Sequence, residues 1–290
     1  MSAIFKREFK SYFTTPIGYI VLAVMMIVHG WAFADVYEAG SPDISYVFTS
    51  FLSTLIVFIL IPPILTMRSM SEDRRQKVDQ VLITSPVSLY SIVLGKFFAI
   101  LAIFMMGYSM TLVFQIIIAF QGVTVNWLIY IGNVLGVALI GSALIALGIF
   151  ISSLTESQII AAVVSFGVLL AFYLMNGLSA MIPQTALASF ICMVILSAVL
   201  ALIVYGLTKN FNVAVAVAAV CVIPLCILYM VKASLFSGLF PALLSYLAVF
   251  DRFYTFVYGI FDVTAVIYYL SVIIFFLFVT VQVMEKKRWS

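Results

Sequence analysis

Charged residues are scarce in this chain. Of its 290 residues, 14 are Lys or Arg, 11 are Asp or Glu and one is His, which gives a net charge of +3. Hydrophobic residues make up 66% of the chain, and the mean hydropathy is +1.28. So little polar surface leaves no room for a separate soluble domain, and the weak positive charge offers no basic surface to a nucleic acid. The composition therefore indicates a membrane protein.

Cysteine and histidine are also too few for a metal site or a disulfide framework. The three cysteines, Cys192, Cys221 and Cys226, all lie in apolar stretches and form no C-x-x-C, so we interpret them as reduced packing residues. The single histidine, His29, lies in the first apolar stretch, and a lone imidazole is no metal site. We expect no metal, no bound cofactor and no catalytic residue in this chain.

Motifs of nucleotide binding and of membrane catalysis are missing. The sequence has no G-x-x-x-x-G-K-[ST], no H-E-x-x-H and no paired carboxylates at membrane depth. The interiors of the apolar stretches hold almost no ionisable group, whereas proton-coupled carriers use Asp, Glu or His relays there. A membrane enzyme and a secondary transporter are therefore disfavoured. If the chain moves a substrate uphill, the energy must come from another polypeptide.

Apolar stretches of about 20 residues recur along the chain, each long enough to cross a bilayer as a helix. Because lipid offers no hydrogen bonds to the backbone, such stretches must be helical. We predict an all-α, polytopic transmembrane helical bundle that forms one domain over residues 1–290. The eight predicted spans are 16–36, 47–67, 92–119, 128–152, 159–181, 186–207, 213–231 and 263–284, and without the sixth and seventh the count is six.

Lys and Arg residues predict the orientation, because they are enriched in cytoplasmic loops. With eight spans, 12 of the 14 basic residues fall on the side of the two termini, and Lys232 and Arg252 fall on the other side. Both termini are therefore predicted to lie in the cytoplasm, with the chain in the plasma membrane. The segment 232–262 is then extracytoplasmic, and its mixed aromatic and polar residues predict short helices on the membrane surface.

Residues 1–15 are predicted to form an amphipathic helix that lies in the membrane surface. An aromatic face opposite a basic face suits the acyl boundary and anionic headgroups. The residues assigned to this interface are Phe5, Lys6, Arg7, Phe9 and Lys10. A solvated basic tail is the alternative. Pro16 should break the helix before the first span. Glu8 falls on the apolar face, where a carboxylate needs a partner, and we predict a buried pair with Arg74.

The loop 68–90 holds the densest cluster of charges. On a helical wheel its apolar residues share one face and its acidic and amide residues the other, which predicts a surface helix ended by Ser85-Pro86. An acidic, amide-rich face suits a protein partner better than anionic lipid. An ordinary solvated loop helix is the alternative. The residues assigned to the partner are Glu72, Asp73, Arg75, Gln76, Asp79 and, in the polar turn after the fourth span, Glu156.

Two further features concern helix geometry. Pro62-Pro63, near the end of the second span, removes two backbone donors and should distort that helix. Small residues in the fourth span should let helices approach closely. These residues are Gly132, Gly136, Gly141 and Gly148.

Three groups of segments carry a resemblance to a known family. They are Phe5-Lys-Arg-Glu-Phe-Lys-Ser-Tyr-Phe13 with Thr15-Pro16; Met67-Arg-Ser-Met-Ser-Glu-Asp-Arg-Arg75 running to Ser85-Pro86, with Gly95-Lys96; and Phe250-Asp-Arg-Phe253 with Gly259-Ile-Phe-Asp262 and the basic tail after Met284. In this order they resemble the permease subunits of type-2 ABC exporters, most closely the gliding-motility branch. The resemblance covers essentially the whole chain, which departs from the commoner six-span form by an extra hairpin between 186 and 231.

The resemblance implies a non-enzymatic permease that forms a translocation path. Its implied partners are an ABC ATPase subunit, which binds ATP and Mg²⁺, a second permease subunit that is identical or different, and in some relatives an extracytoplasmic auxiliary protein. The resemblance assigns the ATPase-coupling helix to about 72–82. Two other functions stay open: an ATPase-coupled component that drives an extracytoplasmic partner without transporting a small molecule, and a secondary transporter.

Overall fold

The computed structural model describes residues 1–38, 54–76, 88–120, 126–208 and 210–289, and every element in these ranges is helical. The predicted all-α fold is therefore confirmed. The helices are α1 (Ser2–Thr14), α2 (Pro16–Glu38), a π-helical segment (Thr54–Leu60), α3 (Ile61–Thr66), α4 (Ser71–Arg75), α5 (Leu89–Ser109), α6 (Thr111–Phe120), α7 (Trp127–Leu154), α8 (Gln158–Met181), α9 (Ala186–Thr208), α10 (Phe211–Val231), a 3₁₀ turn (Ala233–Phe236), α11 (Leu239–Leu247), α12 (Asp251–Val257) and α13 (Val263–Trp289).

Seven segments within the described residues are long and apolar enough to cross a membrane. They are Pro16–Asp35, Thr54–Arg75, Leu89–Phe120, Trp127–Leu154, Gln158–Met175, Phe211–Val231 and Val263–Lys286, and an eighth is counted if the bent pair Ala233–Leu247 and Asp251–Val257 is one span. Seven of the eight predicted spans thus coincide with candidate spans of the structure. The sixth, 186–207, forms helix α9 (Ala186–Thr208), of which the part searched, Ala186–Leu202, counts as a shorter apolar helix, so this span stays a prediction. The six-span alternative is not supported, because α10 is itself a candidate span.

The chain divides into two compact units, Met1–Leu170 with Arg252–Ser290, and Ala171–Asp251. In the first unit α7 runs beside α13 and also packs on α3 and α5. Gly141 lies against the ring of Phe104 and Gly148 against Thr66, so closely that a Cβ at either glycine would overlap its neighbour. The predicted close approach of helices through small residues is confirmed at these two positions.

The second candidate span begins as a π-helix and continues as α3. Pro62 and Pro63 lie in the first turn of α3, where a missing N–H is tolerated. In an uninterrupted α-helix these two residues would donate to the carbonyls one turn earlier, and without those bonds the preceding turn widens to π geometry. The predicted distortion at Pro62-Pro63 therefore takes this form.

In the second unit α9 packs along α10. The ring of Phe190 stacks on Tyr229 with centroids 4.5 Å apart, and Phe236 meets both rings edge-on. Short helices were predicted for the segment 232–262, and the 3₁₀ turn, α11 and α12 occupy it. Their position on an outer membrane surface stays a prediction.

Helix α1 ends at Thr14, the next residue, Thr15, has an extended backbone with φ −106° and ψ 156°, and α2 begins at Pro16. The predicted break at Pro16 is therefore confirmed. Helix α1 then lies against the first turns of α5. At the contact Ile4 covers Gly95, where an added Cβ would be 3.0 Å from Ile4 Cγ2. This contact places the charged residues of α1 beside those of the loop and of α5.

Candidate functional site

Charged and polar side chains from three segments meet at one end of the first unit. The segments are α1, residues 67–76 and the first turns of α5, and we call them together the α1 platform. Packing of α1 on α5 forms its base. The α1 platform contains the residues predicted for the membrane interface and most of those predicted for a protein partner, so it is the candidate functional site.

The buried ammonium of Lys96 joins the three segments of the α1 platform. Its side chain is 1% exposed, and Nζ lies 2.8 Å from Oδ2 of Asp73 and 3.1 Å from Oε1 of Glu8. The same ammonium donates to the main-chain carbonyl of Ser69. A buried charge is costly unless it is paired and hydrogen-bonded. The three partners of Lys96 lie in α1 and in residues 67–76, so the side chain connects both segments to α5.

Glu8 has a cationic partner, as predicted, but the partner is Lys96 and the prediction of a pair with Arg74 is wrong. Among the described residues, the ion pairs of Glu8 are with Lys96 and with Arg7, whose Nη2 lies 2.6 Å from Oε1. The physical reason is the packing of α1 on α5, which places Lys96 next to Glu8. Burial alone would raise the pKa of Glu8, but the charges of Lys96 and Arg7 more than offset it and lower the pKa.

A second set of contacts ties the end of α1 to the loop. Arg68 Nε lies 2.6 Å from Oε2 of Glu72, and Arg68 Nη1 donates to Oγ1 of Thr15 at 3.0 Å. Gln76 Nε2 donates to the other carboxyl oxygen of Glu72 at 3.1 Å. Both oxygens of Glu72 are thus engaged, and the short helix α4 is held in a fixed rotation relative to α1.

A hydrogen bond of the buried residue Tyr12 joins α1 to α3. Its side chain is buried, and its hydroxyl donates to the main-chain carbonyl of Leu65 at 2.5 Å. Burial raises the pKa of this hydroxyl, so it keeps its proton as a hydrogen-bond donor. Helix α1 is therefore bound to α3 as well as to α4 and α5.

Ser152, near the end of α7, holds the break between α3 and α4. Its Oγ accepts hydrogen bonds from the main-chain N–H groups of Met70 and Ser71, each at 3.2 Å, and donates to the carbonyl of Met67 at 3.2 Å. N–H groups at a helix start and carbonyls at a helix end have no partner within their own helix. The hydroxyl of Ser152 bonds to both kinds of group, and these hydrogen bonds attach α7 directly to the loop.

The residues predicted for a protein partner fall into two sets. Glu72 and Asp73 are half-buried and engaged in the ion pairs of the α1 platform. Arg75 and Gln76 are exposed, and so is Glu156, which follows Ser152 in the turn after α7. The exposed set is available for contact with another molecule, and its role stays a prediction.

Part of the predicted loop helix lies outside the described residues. This part includes Asp79 and all of 77–87. The described part is not one helix from 68 onwards: residues 67–70 form a turn, and α4 covers only Ser71–Arg75. The turn arises where Ser152 takes the backbone groups that a continuous helix would have bonded internally.

The amphipathic character predicted for residues 1–15 is visible on α1. Phe5, Phe9 and Phe13 form a stripe, with ring centroids 5.8 Å and 5.2 Å apart along it. Lys6, Arg7 and Lys10 are exposed away from that stripe. Contact of the aromatic stripe with lipid and of the basic residues with headgroups stays a prediction.

Three residues that organise the candidate site were missed by the sequence analysis: Lys96 and Tyr12 of the α1 platform, and Ser152 of α7. A signal existed for Lys96, which is the only charged residue within the predicted third span 92–119, and a charge there requires a partner. Tyr12 and Ser152 carry no such signal, because an aromatic residue and a serine are ordinary at these places in a helix. Only the packing of α1 and α7 around the loop reveals their roles.

Together these features define a class of protein. It is a multi-pass membrane protein made of packed helices, in which ion pairs join the segments at one end of the first unit. A comparison with protein-family models matches residues 4–211 to the model described as ABC-2 family transporter protein. The matched range covers more than half of the chain and includes all of the α1 platform except its first two residues, so the chain belongs to the ABC-2 transporter family. It is accordingly a permease component of an ABC transporter, and such permeases are not themselves catalytic. Neither the curated proteins nor the solved structures gave a match.

Proposed function

We propose that this chain is the permease subunit of an ABC exporter and that a separate ATPase subunit binds at the α1 platform. The supporting observation is the ion-pair network in which Lys96 joins Glu8 of α1 to Asp73 of α4. Because the network links the segments through buried charge, α1 and residues 67–76 move as one body. A partner that contacts the exposed Arg75 and Gln76 therefore acts on all of the α1 platform.

The motion enters the membrane through α7. Ser152 forms hydrogen bonds with the backbone of the loop at Met67, Met70 and Ser71. One turn earlier in α7, Gly148 lies against Thr66 of α3. A displacement of the loop thus pulls on the end of a long helix that packs against α3, α5 and α13. In this way a contact outside the membrane changes the packing of the spans that form the translocation path.

The energy comes from the ATPase subunit, which binds ATP and Mg²⁺. The end of the bundle that carries the α1 platform faces the cytoplasm, where ATP is available, in agreement with the distribution of Lys and Arg. Cofactors of this chain itself are not required, and ATP binding and hydrolysis are transmitted to it only through the docked partner.

The functional assembly pairs this chain with a second permease subunit in the plasma membrane. Helix α1 lies in the inner surface of the bilayer, with its stripe of Phe5, Phe9 and Phe13 among lipid chains. The gliding-motility type of exporter, which the sequence resembles most closely, fits this arrangement. An extracytoplasmic auxiliary protein would bind near the segment 232–262.

A second candidate function also uses the ATPase but involves no transport of a small molecule. In this version the α1 platform is driven in the same way, but the motion is delivered to an extracytoplasmic partner and no small molecule crosses. The 3₁₀ turn and α11, both in the second unit, give such a partner a place to bind. Transport assays separate the two versions, because only the exporter moves a substrate.

The proposal is tested by purification of the tagged chain from its native membrane. We expect an ABC ATPase to remain bound and to hydrolyse ATP in a vanadate-sensitive manner. The variant Arg75→Glu should lose most of the bound ATPase, because it reverses the charge of an exposed contact residue and leaves the side chains of the Lys96 ion-pair network unchanged.

The matched control is Lys232→Glu, a charge change at an exposed residue of the second unit, which should leave ATPase binding unchanged. Reconstituted alone in liposomes, the chain should perform no directional transport. Concentrative uptake by the lone polypeptide, or equal ATPase loss in both variants, would contradict the proposal.

A further inference from the structure

The part of α12 that belongs to the first unit, residues 252–257, lies inside the bundle and follows α7. Phe256 is 1% exposed, and it covers Gly136 of α7 so closely that an added Cβ would be 2.7 Å from Phe256 Cβ. Beyond the end of α12, Gly259 lies against Ile129 near the start of α7, where an added Cβ would be 3.0 Å from Ile129 Cγ1. Helix α12 therefore runs in the direction opposite to α7 and starts at a deeper level than it ends.

The first turn of α12 lies about halfway across the membrane. The ring of Phe253 is 5.2 Å from that of Phe58, and the ring of Phe58 is 6.3 Å from that of Phe104. Phe104 in turn covers Gly141, which is midway along α7 (Trp127–Leu154). Helix α7 has 28 residues and is about 42 Å long, so its middle lies deep in a hydrocarbon core of about 30 Å.

Arg252, the first residue of this part of α12, contacts α13 at the same level. Its Cζ lies 4.0 Å from the centroid of the Tyr268 ring. Tyr268 is eight residues before Phe276, whose ring lies 5.7 Å from the ring of Phe150 in α7. Eight helical residues span about 12 Å, and the same distance from Phe150 back along α7 reaches the middle of that helix. Both sets of contacts therefore place the guanidinium about halfway across the bilayer.

This guanidinium has no anionic partner among the described residues. None of their ion pairs includes Arg252. Asp251 precedes it in α12, but consecutive residues of a helix do not face each other. Asp262 lies six residues before Tyr268, where it accepts a hydrogen bond from the backbone N–H of Thr264 at 2.8 Å. The nearby carboxylates thus leave the N–H donors of the guanidinium without an acceptor.

The position of Arg252 excludes bilayer lipid as the source of that acceptor. Arg252 and Tyr268 are each half-buried, so a molecule can reach the guanidinium. Lipid headgroups lie about 15 Å away at the edge of the core, and the contact with Tyr268 keeps the side chain from extending towards them. A charged group at this depth faces the bundle interior or a water-filled cavity and marks a path for substrates. The occupant is therefore a molecule that enters the bundle.

We propose that Arg252 binds an anionic group, a phosphate or a carboxylate, of the molecule that this permease exports. The inference rests on the proposed function and adds the chemical class of the substrate. A guanidinium has five N–H donors and binds two oxygens of a carboxylate or phosphate at once. Because an aromatic ring attracts the cation through its face and offers the donors no lone pair, Tyr268 positions the guanidinium and leaves its donors to the substrate.

The test measures how a small anion protects a cysteine placed beside Arg252. The native cysteines, Cys192, Cys221 and Cys226, are replaced by alanine, and Thr255→Cys is introduced one turn along α12. The full chain in nanodiscs of phosphatidylcholine is modified with neutral methyl methanethiosulfonate. We expect n-butyl phosphate to slow this reaction severalfold, and n-butanol, which has the same carbon chain and no charge, to leave it unchanged.

The protection should depend on the guanidinium. Arg252→Gln should abolish it, and Arg252→Lys, which keeps the charge and loses the two-pronged geometry, should reduce it. The matched control is Lys232→Gln, which removes a positive charge from the second unit and should leave the protection unchanged. Ser271→Cys, exposed on α13 one turn from Tyr268, is a second reporter in case Thr255→Cys fails to fold.

Several results would overturn the inference. They are the same protection with Arg252 and with Arg252→Gln, equal protection by n-butanol, and no protection by n-butyl phosphate at either reporter. Slower modification in nanodiscs of phosphatidylglycerol, with no effect of n-butyl phosphate, would overturn it in favour of a lipid headgroup.

The two proposals fail separately. If the chain copurifies with an ATPase and n-butyl phosphate gives no protection that depends on Arg252, the inference is wrong and the proposed function stands. If Arg252 binds the anion and no ATPase binds the chain, the proposed function fails, and the description of the anion as an exported substrate fails with it.

Discussion

The α1 platform and the middle of α7 are held together by different forces. In the α1 platform, buried charges are matched across three segments, and Lys96 serves two carboxylates at once. Along α7, Gly141 and Gly148 let Phe104 and Thr66 approach until no space for a Cβ remains. One region is bound by directional polar contacts and the other by shape.

The difference has a mechanical consequence. Ion pairs and hydrogen bonds at the edge of a bundle can be exchanged for similar bonds with an arriving partner. Glycine contacts in a close-packed interior allow little adjustment, so they transmit displacement from one helix to the next. The α1 platform is therefore suited to receive a force and α7 to pass it on.

The largest effect is expected where buried charge is left without its partner. Lys96→Met leaves Glu8 and Asp73 facing each other without the ammonium, and it should destabilise the protein by about 3–5 kcal/mol. The midpoint of thermal unfolding in detergent measures this. The exposed residue Lys10 offers the matched control, and Lys10→Met should change the midpoint little. An equal drop in both variants would show that the ion pairs do not hold the α1 platform together.

The next effect concerns shape. Gly141→Ala adds a methyl group that overlaps the ring of Phe104, and it should cost about 1–3 kcal/mol. Gly167 also lies within a helix of the first unit, yet nothing is within 4 Å of the position of its added Cβ. Gly167→Ala should therefore be neutral or slightly stabilising in the same unfolding assay. If Gly141→Ala left the unfolding midpoint unchanged, the contact between Gly141 and Phe104 would have to be less tightly packed than its geometry indicates.

Removal of the Ser152 hydroxyl, which links α7 to the α1 platform, should have a smaller effect on stability. Ser152→Ala deprives the N–H groups of Met70 and Ser71 of an acceptor and should cost about 1–2 kcal/mol. Ser153→Ala is the control, since among the described residues the Ser153 hydroxyl donates to the carbonyl of Phe150 in its own helix. In the complex with the ATPase, Ser152→Ala should also uncouple ATP hydrolysis from transport more than Ser153→Ala does. Identical coupling in the two variants would argue against this path.

The smallest effect is a dependence on pH. Because the folded state lowers the pKa of Glu8 below its ordinary value of 4.5, the ionised carboxylate stabilises the fold above pH 4.5. That stabilisation is lost as the pH falls through the lowered pKa. Glu8→Gln should therefore be less stable than wild type at neutral pH, and the difference should shrink in acid. A difference that stays constant with pH would exclude the ionised form of Glu8 as its source.

The helices of this protein were largely predictable because apolar stretches long enough to cross a membrane leave few alternatives to a helix. Local chemistry also predicted the break at Pro16 and the need of Glu8 for a partner. The identity of that partner was not predictable. It depends on the contact of Ile4 with Gly95, which joins segments far apart in the sequence and has no local signal.

The loop shows the same limit more clearly. Its alternation of apolar and polar residues predicted one surface helix, whereas the described part contains a turn at 67–70 and the short helix α4. Periodicity reports only the preference of the segment itself. It could not report that Ser152, more than 80 residues away, takes the backbone groups of this turn.

The central claim is that α1 and the loop move as one body when ATP acts on the attached ATPase. Spin labels at Lys10→Cys and Met67→Cys, two sites on the α1 platform outside the proposed ATPase contact, report it directly by pulsed electron paramagnetic resonance on the complex. We predict that the distance between these labels is the same with and without ATP, while the distance from Met67→Cys to a label at Trp127→Cys at the far end of α7 changes. An ATP-dependent change in the distance between residues 10 and 67 would contradict the account.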